Sequence, residues 1–250
     1  MKAKVSYLNH SGFIVETAGL LAVFDLFTDP AGVLSQYTNC AKPAVFFVSH
    51  QHYDHWNQEI LLFENTVPNL YIMDEACRSD QVDILIKQCN NRIIYVKPYE
   101  HYTAEDLGIE TLKSLHTFGS TDEGVSFLLD TDMGRVYHAG DLNEWDWQDE
   151  DSAAVKKAYR HELGLIKDAL AGDPCIVAFV PVDQRLGETA FAGATTLLEY
   201  FLPTYLIPMH LNGGDDLPGV LRRQLRAELQ YDGTHVVAMT LPGMPLEIFT

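Results

Sequence analysis

The sequence predicts an α/β protein in which two β-sheets pack face to face and helices cover their outer surfaces. Short apolar or alternating segments, separated by turn residues, dominate the first half of the chain and are typical of β-strands. The second half alternates such segments with stretches whose apolar residues recur at helical spacing. Two strand-rich halves with interspersed helices suit two stacked sheets. Because no Pro-, Gly- or Ser-rich linker and no repeat interrupts the chain, we predict one domain over residues 1–250.

The predicted elements follow from these patterns. An apolar run at 44–49 is typical of a strand that is covered on both faces. The helix predicted at 189–202 ends before Pro203, because a residue that precedes proline disfavours helical backbone. The predicted strands are 5–8, 13–16, 20–27, 44–49, 70–73, 92–96, 109–115, 125–129, 135–139, 175–180, 205–209, 235–239 and 246–249. The predicted helices are 75–89, 152–171, 189–202 and 217–230.

Composition and charge limit the function. Apolar residues make up 47% of the 250 residues, which is enough for a substantial core, and the formal net charge is −18. A nucleic-acid partner is not expected, because phosphates would be repelled and no Lys/Arg cluster offsets the excess of acid. No apolar run reaches the roughly 20 residues of a membrane span. We therefore expect a cytoplasmic protein without a membrane partner, whose four scattered cysteines are reduced thiols.

Four polar residues with metal-binding side chains follow the apolar run at 44–49. They are His50, His52, Asp54 and His55. His50 and His52 are two residues apart, so in extended backbone their imidazoles point the same way and can hold one ion. If the chain turns after His52, Asp54 and His55 can reach a second ion. Imidazole and carboxylate ligands suit zinc, and also manganese or iron.

This His-x-His-x-Asp-His pattern after a hydrophobic strand resembles the metallo-β-lactamase superfamily. The resemblance implies an αββα sandwich of two mixed β-sheets flanked by helices, with metal ligands on loops along one edge. Three further positions match the order of ligands in that family, each after a predicted strand: His116, Asp141 in a Gly-Asp step, and His210. The resemblance therefore extends over nearly the whole chain.

Carried over residue by residue, the resemblance implies two divalent metal ions, with zinc favoured and manganese or iron as alternatives. The implied ligands of the first metal are His50, His52 and His116. Those of the second metal are Asp54, His55 and His210. Asp141 would bridge the two metals, which would activate a water molecule as the nucleophile. Asp54 and Asp141 are thus the expected catalytic carboxylates, and Asp54 could also pass a proton to the leaving group.

Four further residues are expected around the metals. Asp25 matches an acid that the superfamily keeps beneath the site, where it would orient a ligand, although aspartate is also common in turns. His10 could contact substrate or a ligand, or be an ordinary core or surface histidine. Asp183 and Arg185 lie on a loop after a buried strand, and Arg185 could bind a carboxylate or phosphate or form a surface salt bridge.

A segment near the start of the chain resembles one branch of this superfamily. Residues Leu8 to Phe13 are similar to the opening of the branch that contains bacterial L-ascorbate-6-phosphate lactonase, with Asn9 in place of the usual glycine. We therefore predict a metal-dependent hydrolase of a small-molecule ester, lactone or phosphorylated substrate, which is expected to be anionic. Two alternatives are a phosphodiesterase or nuclease of the same fold and a non-catalytic metal-binding protein. The sequence is also compatible with a homo-oligomer.

Overall fold

Two seven-stranded β-sheets lie at the centre of the protein. The computed structural model describes residues 2–227, 231 and 233–249. Within this part of the chain, 14 strands and five α-helices are formed. The helices are α1 (Asp80–Gln88), α2 (Ala104–Leu107), α3 (Ser152–Leu170), α4 (Ala192–Tyr200) and α5 (Leu217–Arg226).

The first sheet is built mainly from the first 96 residues. It contains β1 (Lys2–Asn9), β2 (Gly12–Glu16), β3 (Leu21–Phe24), β4 (Ala44–Val48), β5 (Leu70–Asp74), β6 (Arg92–Val96) and, at one edge, β14 (Pro245–Phe249). The strand order is β14-β1-β2-β3-β4-β5-β6. Pairing is antiparallel from β14 to β3 and parallel from β3 to β6. The sheet is therefore mixed.

The second sheet has the same mixed character. It contains β7 (His101–Thr103), β8 (Leu112–Phe118), β9 (Ser126–Thr131), β10 (Gly134–His138), β11 (Cys175–Pro181), β12 (Tyr205–Met209) and β13 (His235–Val236). The order is β13-β12-β11-β10-β9-β8-β7. Strands β10 to β13 run parallel, and β7 to β10 are antiparallel.

Aromatic side chains join the two sheets in a shared core. Phe13 of the first sheet packs on Phe179 of the second with ring centroids 4.4 Å apart. Phe47 meets Phe127 edge to face at 5.3 Å. All four rings are buried, so this packing removes apolar area from water and stabilises the contact between the sheets.

The predicted fold class is confirmed: two mixed sheets are stacked and helices flank them. Several element boundaries differ from the prediction. The helix predicted at 75–89 is divided into a 3-10 turn, Glu75–Cys77, and α1, because the Ser79 hydroxyl accepts the Val82 N–H and starts a new helix. Strand β7 and helix α2 were missed because they are short and polar. Residues 228–230 of the helix predicted at 217–230 lie outside the described residues.

Two further observations concern the surroundings of the chain. Among the described residues, no helix combines the length and the apolar character that crossing a membrane would require. Cys40, Cys77, Cys89 and Cys175 all lie in the described part of the chain, and none forms a disulfide there.

Candidate metal centre

The parallel strands deliver polar side chains to one edge of the sandwich. Asp25 follows β3, His50 follows β4, Asp141 follows β10, Asp183 follows β11 and His210 follows β12. Each lies one to three residues beyond its strand. Because these strands run in parallel within each sheet, their carboxyl ends open onto a common crevice, where α/β proteins bind ligands.

Asp141 lies at the centre of this edge. Its Oδ1 is 3.2 Å from Nε2 of His55 and 3.6 Å from Nε2 of His210. Its Oδ2 is 3.6 Å from Nε2 of His50. The two carboxylate oxygens therefore face different imidazoles, which is the arrangement that a carboxylate bridging two metal ions requires.

The opposite nitrogen of each imidazole is held by a hydrogen bond. Nδ1 of His55 donates to Asp25, and Nδ1 of His210 donates to Asp183, because an ionised carboxylate can only accept. Nδ1 of His50 lies 2.9 Å from the Ser49 hydroxyl. These partners fix the ring orientations and leave Nε2 of all three histidines directed at Asp141. Such bonds commonly orient histidines that bind metals.

Asp25 is completely buried beneath His55. Its carboxylate accepts the backbone N–H of Ser49 at 2.8 Å and the Ser49 hydroxyl at 2.6 Å. Burial alone would raise the pKa of Asp25, but the charge and hydrogen bond of His55 outweigh it and keep the pKa below its ordinary value. The structure thus places Asp25 where the sequence suggested an acid that orients a ligand.

Asp183 has the same relation to His210. It is completely buried, and Oδ2 accepts from Nδ1 of His210 at 3.0 Å and from Nδ2 of Asn212 at 2.7 Å. Arg185 also donates to this carboxylate through Nε and Nη2. Burial would raise the pKa of Asp183, but hydrogen bonds from His210 and Arg185 lower it well below the usual range. Asp183 therefore links Arg185 to the candidate ligand His210.

His10 joins a second group of potential ligands. One atom each of His10, Asp54, His55 and His210 lies within 4.8 Å of the others. The His10 backbone has the left-handed φ of 55°, and its carbonyl accepts the His210 N–H at 3.3 Å. Burial and neighbouring His210 lower the pKa of His10 to about 4, which leaves its ring neutral, the form that binds metals.

His52 lies on the rim of the crevice with Asp122. Its Nδ1 is 3.0 Å from Nε2 of His50, and its Nε2 is 3.3 Å from Oε2 of Glu123. His52, Asp122 and Asp141 each place one atom within 4.8 Å of the other two. Asp122 was not predicted, because it lies in the polar segment Ser120-Thr121-Asp122-Glu123-Gly124, which in a sequence cannot be distinguished from an ordinary turn.

The structure does not bring His116, a predicted metal ligand, together with the other candidate ligands. The sequence suggested a strand ending at residue 115, but β8 continues to Phe118, so His116 lies within the strand rather than on the loop after it. Leu115 is completely buried, and His116 points to the opposite face of the sheet. There it stacks on His101 of β7, its partner across the antiparallel pair, at 4.2 Å. Among the described residues, no group of potential ligands includes His116.

Unpartnered buried atoms test whether the site fits a metal. Nε2 of His10, Nε2 of His55 and Oδ1 of Asp141 are all buried, and none forms a hydrogen bond of good geometry with a described residue, although Nε2 of His55 and Oδ1 of Asp141 lie 3.2 Å apart. Leaving buried polar atoms without well-formed hydrogen bonds is unfavourable. Moreover, although burial lowers the pKa of His55, Asp25 and Asp141 raise it to about 10, so the site stabilises positive charge at Nε2. These features fit metal ions bound by imidazole and carboxylate.

His138 packs in the core beside the candidate ligands. Its ring is completely buried and stacks on Phe24 with centroids 4.9 Å apart. Nε2 lies 2.9 Å from the Ser11 carbonyl, and Nδ1 accepts the backbone N–H of Gly140. His138 thereby supports the turn that presents Asp141.

A cavity of about 550 Å³ opens onto the metal-binding residues. Asp54, Asp141 and His210 form part of its lining, together with Trp147 and Arg185. The Arg185 guanidinium lies 5.8 Å from the Trp147 ring centroid, and 53% of the Arg185 side chain is exposed. The cavity therefore combines a metal-binding floor with an aromatic surface and one guanidinium group.

Comparisons with solved structures identify the same fold elsewhere. The first is Igni18, described as a metallo hydrolase from the archaeon Ignicoccus hospitalis (18% identity, all of both chains, TM-score 0.67). The metallo-β-lactamase fold protein YhfI from Bacillus subtilis matches with 12% identity over 98% of this chain and 99% of that chain, at a TM-score of 0.59. CmlA, a diiron β-hydroxylase from Streptomyces venezuelae, matches with 10% identity over 98% of this chain and 54% of that chain, at 0.61.

The sequence comparison identifies the family. No curated protein matches the chain significantly. Residues 4–156, more than half of the chain, match the family described as the beta-lactamase superfamily domain. This match includes the His50-to-His55 cluster and Asp141, and the structural neighbours have the same fold. The chain therefore belongs to the metallo-β-lactamase superfamily.

Proposed function

We propose that the protein is a metal-dependent hydrolase of a small, anionic ester, lactone or phosphorylated compound. The observation that carries this proposal is the convergence of three Nε2 atoms, from His50, His55 and His210, on the two oxygens of Asp141. The superfamily match and the resemblance to a metallo hydrolase support the same activity.

The residues suit two metal positions. His50 and His52 would hold the first metal, while Asp54, His55 and His210 would hold the second, with His10 beside it. Asp141 would lie between the two positions. Two divalent ions at such a site lower the pKa of a bound water molecule and polarise a carbonyl or phosphoryl oxygen. Zinc is the ion we favour, with manganese and iron as alternatives.

Asp54 is the residue that we assign to proton transfer. Its Oδ2 lies 3.4 Å from Nε2 of His10, and its side chain remains 25% exposed on the wall of the cavity. A carboxylate in this position can accept a proton from the attacking water and return it to the leaving group. Asp141, by contrast, is almost completely buried, so we assign it to holding the metals.

Arg185 is the residue that we assign to substrate binding. Asp183 holds its Nε and Nη2, whereas Nη1 remains available to a carboxylate or phosphate of the substrate. Trp147, which is 47% exposed, supplies a flat apolar surface beside it. A cavity of this size and lining suits a small molecule. The net charge of −18 disfavours the alternative of a nuclease.

Two finer assignments rest on the sequence. The segment Asn9-His10-Ser11-Gly12 supports a place near the L-ascorbate-6-phosphate lactonase branch, and His10 of this segment reaches the candidate metal centre. The location that we propose is the cytoplasm, on the basis of the four scattered cysteines.

Metal analysis and an activity screen test the proposed function together. Protein purified without chelator should contain more than one equivalent of transition metal by elemental analysis. The screen should compare lactones, carboxylic esters, thioesters, phosphomonoesters and a chromogenic phosphodiester, each with and without chelator. We expect chelator-sensitive hydrolysis of an anionic small molecule. A consistent metal content of one equivalent or less would contradict the dinuclear site, and a preference for the phosphodiester would favour the alternative function.

A further inference from the structure

The first metal position has fewer imidazoles than the family resemblance implied. Because His116 stacks on His101, the imidazoles that the described residues offer to this position beside Asp141 are those of His50 and His52. The loop that follows β8 nevertheless reaches this position at Asp122, six residues after His116 in the sequence. Asp122 lines the same cavity.

Hydrogen bonds hold this loop against the metal-binding segment. The Thr121 hydroxyl donates to the Asn143 carbonyl at 2.6 Å and accepts the Asn143 N–H at 2.9 Å. At the other end, the Val125 N–H donates to the Ser49 carbonyl at 2.9 Å. Between them, Gly124 has a φ of +75°, and a Cβ there would lie only 2.0 Å from the Ser49 carbonyl oxygen. Asp122 is therefore held in place from both sides.

The side chains around Asp122 would be stabilised by a cation. A carboxylate oxygen of Asp122 lies within 4.8 Å of one from Asp141, and like charges at this distance repel each other. The same group includes an imidazole nitrogen of His52. Asp141 is almost completely buried, and its Oδ2 faces Nε2 of His50 at 3.6 Å on this side of the site. A divalent ion between these three side chains would remove the repulsion.

We propose that Asp122 is the third protein ligand of the first metal and takes the place that the resemblance had given to His116. This inference rests on the metal pair of the proposed function. The first metal would then have two imidazoles, from His50 and His52, and two carboxylates, from Asp122 and Asp141. Compared with three imidazoles and one carboxylate, this set of ligands is harder and shifts the preference from zinc towards manganese or iron(II).

Substitutions on the loop test the assignment through metal content rather than through activity. Asp122→Asn removes the charge on an exposed side chain without altering its size. Glu123→Gln tests the rival assignment of the neighbouring acid, because the Oε2 of Glu123 lies 3.3 Å from Nε2 of His52. Asp122→His restores the imidazole that the family resemblance implied. Each protein is freed of metal, titrated with Mn²⁺ or Zn²⁺ by calorimetry, and analysed for bound metal after dialysis.

We expect wild-type protein and Glu123→Gln to bind two equivalents and Asp122→Asn to lose one of them after dialysis. Removing a residue that only orients a ligand lowers metal affinity by about 10- to 100-fold. Because Asp122 would bind the metal directly, we expect its removal to lower the affinity by at least as much. Asp122→His should bind both metals with a higher ratio of zinc to manganese affinity. Unchanged binding by Asp122→Asn, or a loss in Glu123→Gln instead, would overturn the assignment. Failure of the wild type to bind two equivalents would contradict the proposed metal pair itself.

Discussion

His55 and Asp25 form a completely buried pair in which Nδ1 of the imidazole lies 2.8 Å from Oδ2 of the carboxylate. The pair fixes the ring so that Nε2 faces Asp141 at 3.2 Å. His210 and Asp183 repeat this relationship on the other sheet. The candidate second metal therefore lies between two imidazoles that are each oriented by a buried acid.

Replacing the buried acid beneath His55 should weaken metal binding. Asp25→Asn keeps the size of the side chain but removes the charge that favours donation from Nδ1. We expect metal affinity to fall by about 10- to 100-fold, as for other residues that orient ligands. Calorimetric titration measures the affinity, and the melting temperature of the metal-free protein shows whether folding is affected. If Asp25→Asn bound metal with the affinity of the wild type, Asp25 would have a structural role only.

Removing the guanidinium of Arg185 should impair substrate binding rather than folding. For an anionic substrate identified by screening, Arg185→Ala should raise KM by about tenfold to a hundredfold, corresponding to a lost charged hydrogen bond of ~1.5–3 kcal/mol. The melting temperature should change little, because the side chain is half-exposed. Arg222→Ala, on the exposed side of α5, is the control for removing a positive charge. Unchanged kinetics would show that the contact with Asp183 is structural only.

Asp54 should be needed for turnover even when both metals are bound. Asp54→Ala should fold normally, because the residue lies on a loop at the edge of the sandwich. We expect kcat to fall about a hundredfold or more, the usual contribution of a positioned acid or base. Metal content and kcat are measured together while zinc and manganese are added. His52→Ala is the comparison, because excess metal should restore its rate. Full recovery by Asp54→Ala would limit Asp54 to holding the metal.

Removing the metals should destabilise the protein. Without them, buried atoms of His10, His55 and Asp141 lack well-formed hydrogen bonds with the described residues. A ligand present at a hundred times its Kd stabilises the folded state by ~2.7 kcal/mol. We therefore expect a chelator to lower the melting temperature in differential scanning fluorimetry and re-added metal to restore it. A melting temperature that is insensitive to chelator would indicate that the cluster does not hold metal in the folded protein.

The turn before Asp141 should tolerate no side chain at Gly140. Its φ is +54°, and a Cβ would lie 2.8 Å from both the Ser49 Cβ and the Val125 carbonyl oxygen. Gly140→Ala should therefore destabilise the fold by at least ~1–3 kcal/mol, the cost of a strained backbone alone. Gly164→Ala is the matched control, because a Cβ there meets nothing within 4 Å and alanine favours α3 by ~1 kcal/mol. In chemical denaturation, the free energy of unfolding should therefore decrease for Gly140→Ala and increase for Gly164→Ala. Equal free energies of unfolding for the two variants would refute the role of the turn.

The amino-acid sequence by itself determined the layers of the fold and most of the candidate centre. Apolar alternation and helical spacing are local properties, so strands such as β4 and β12 could be predicted before any tertiary contact was known. His50, His52, Asp54 and His55 are adjacent in sequence, and Asp141 and His210 follow short buried strands. For these residues, local position was sufficient to place the side chain at the correct edge of a sheet.

Only the tertiary structure showed that His116 lies away from the candidate centre and that Asp122 lies beside it. The end of β8 depends on its pairing with β7 and β9, which carries the strand to Phe118 and turns His116 onto His101. The approach of Asp122 depends on contacts of its loop with Ser49 and Asn143, which are distant in sequence. Strand pairing and the anchoring of a loop are interactions between segments that are remote in sequence. A shift of one residue in the pairing register moves each side chain of a strand to the opposite face of the sheet. Which of these two residues lies beside the candidate first metal position is therefore a property of the packed sheets and not of a local motif.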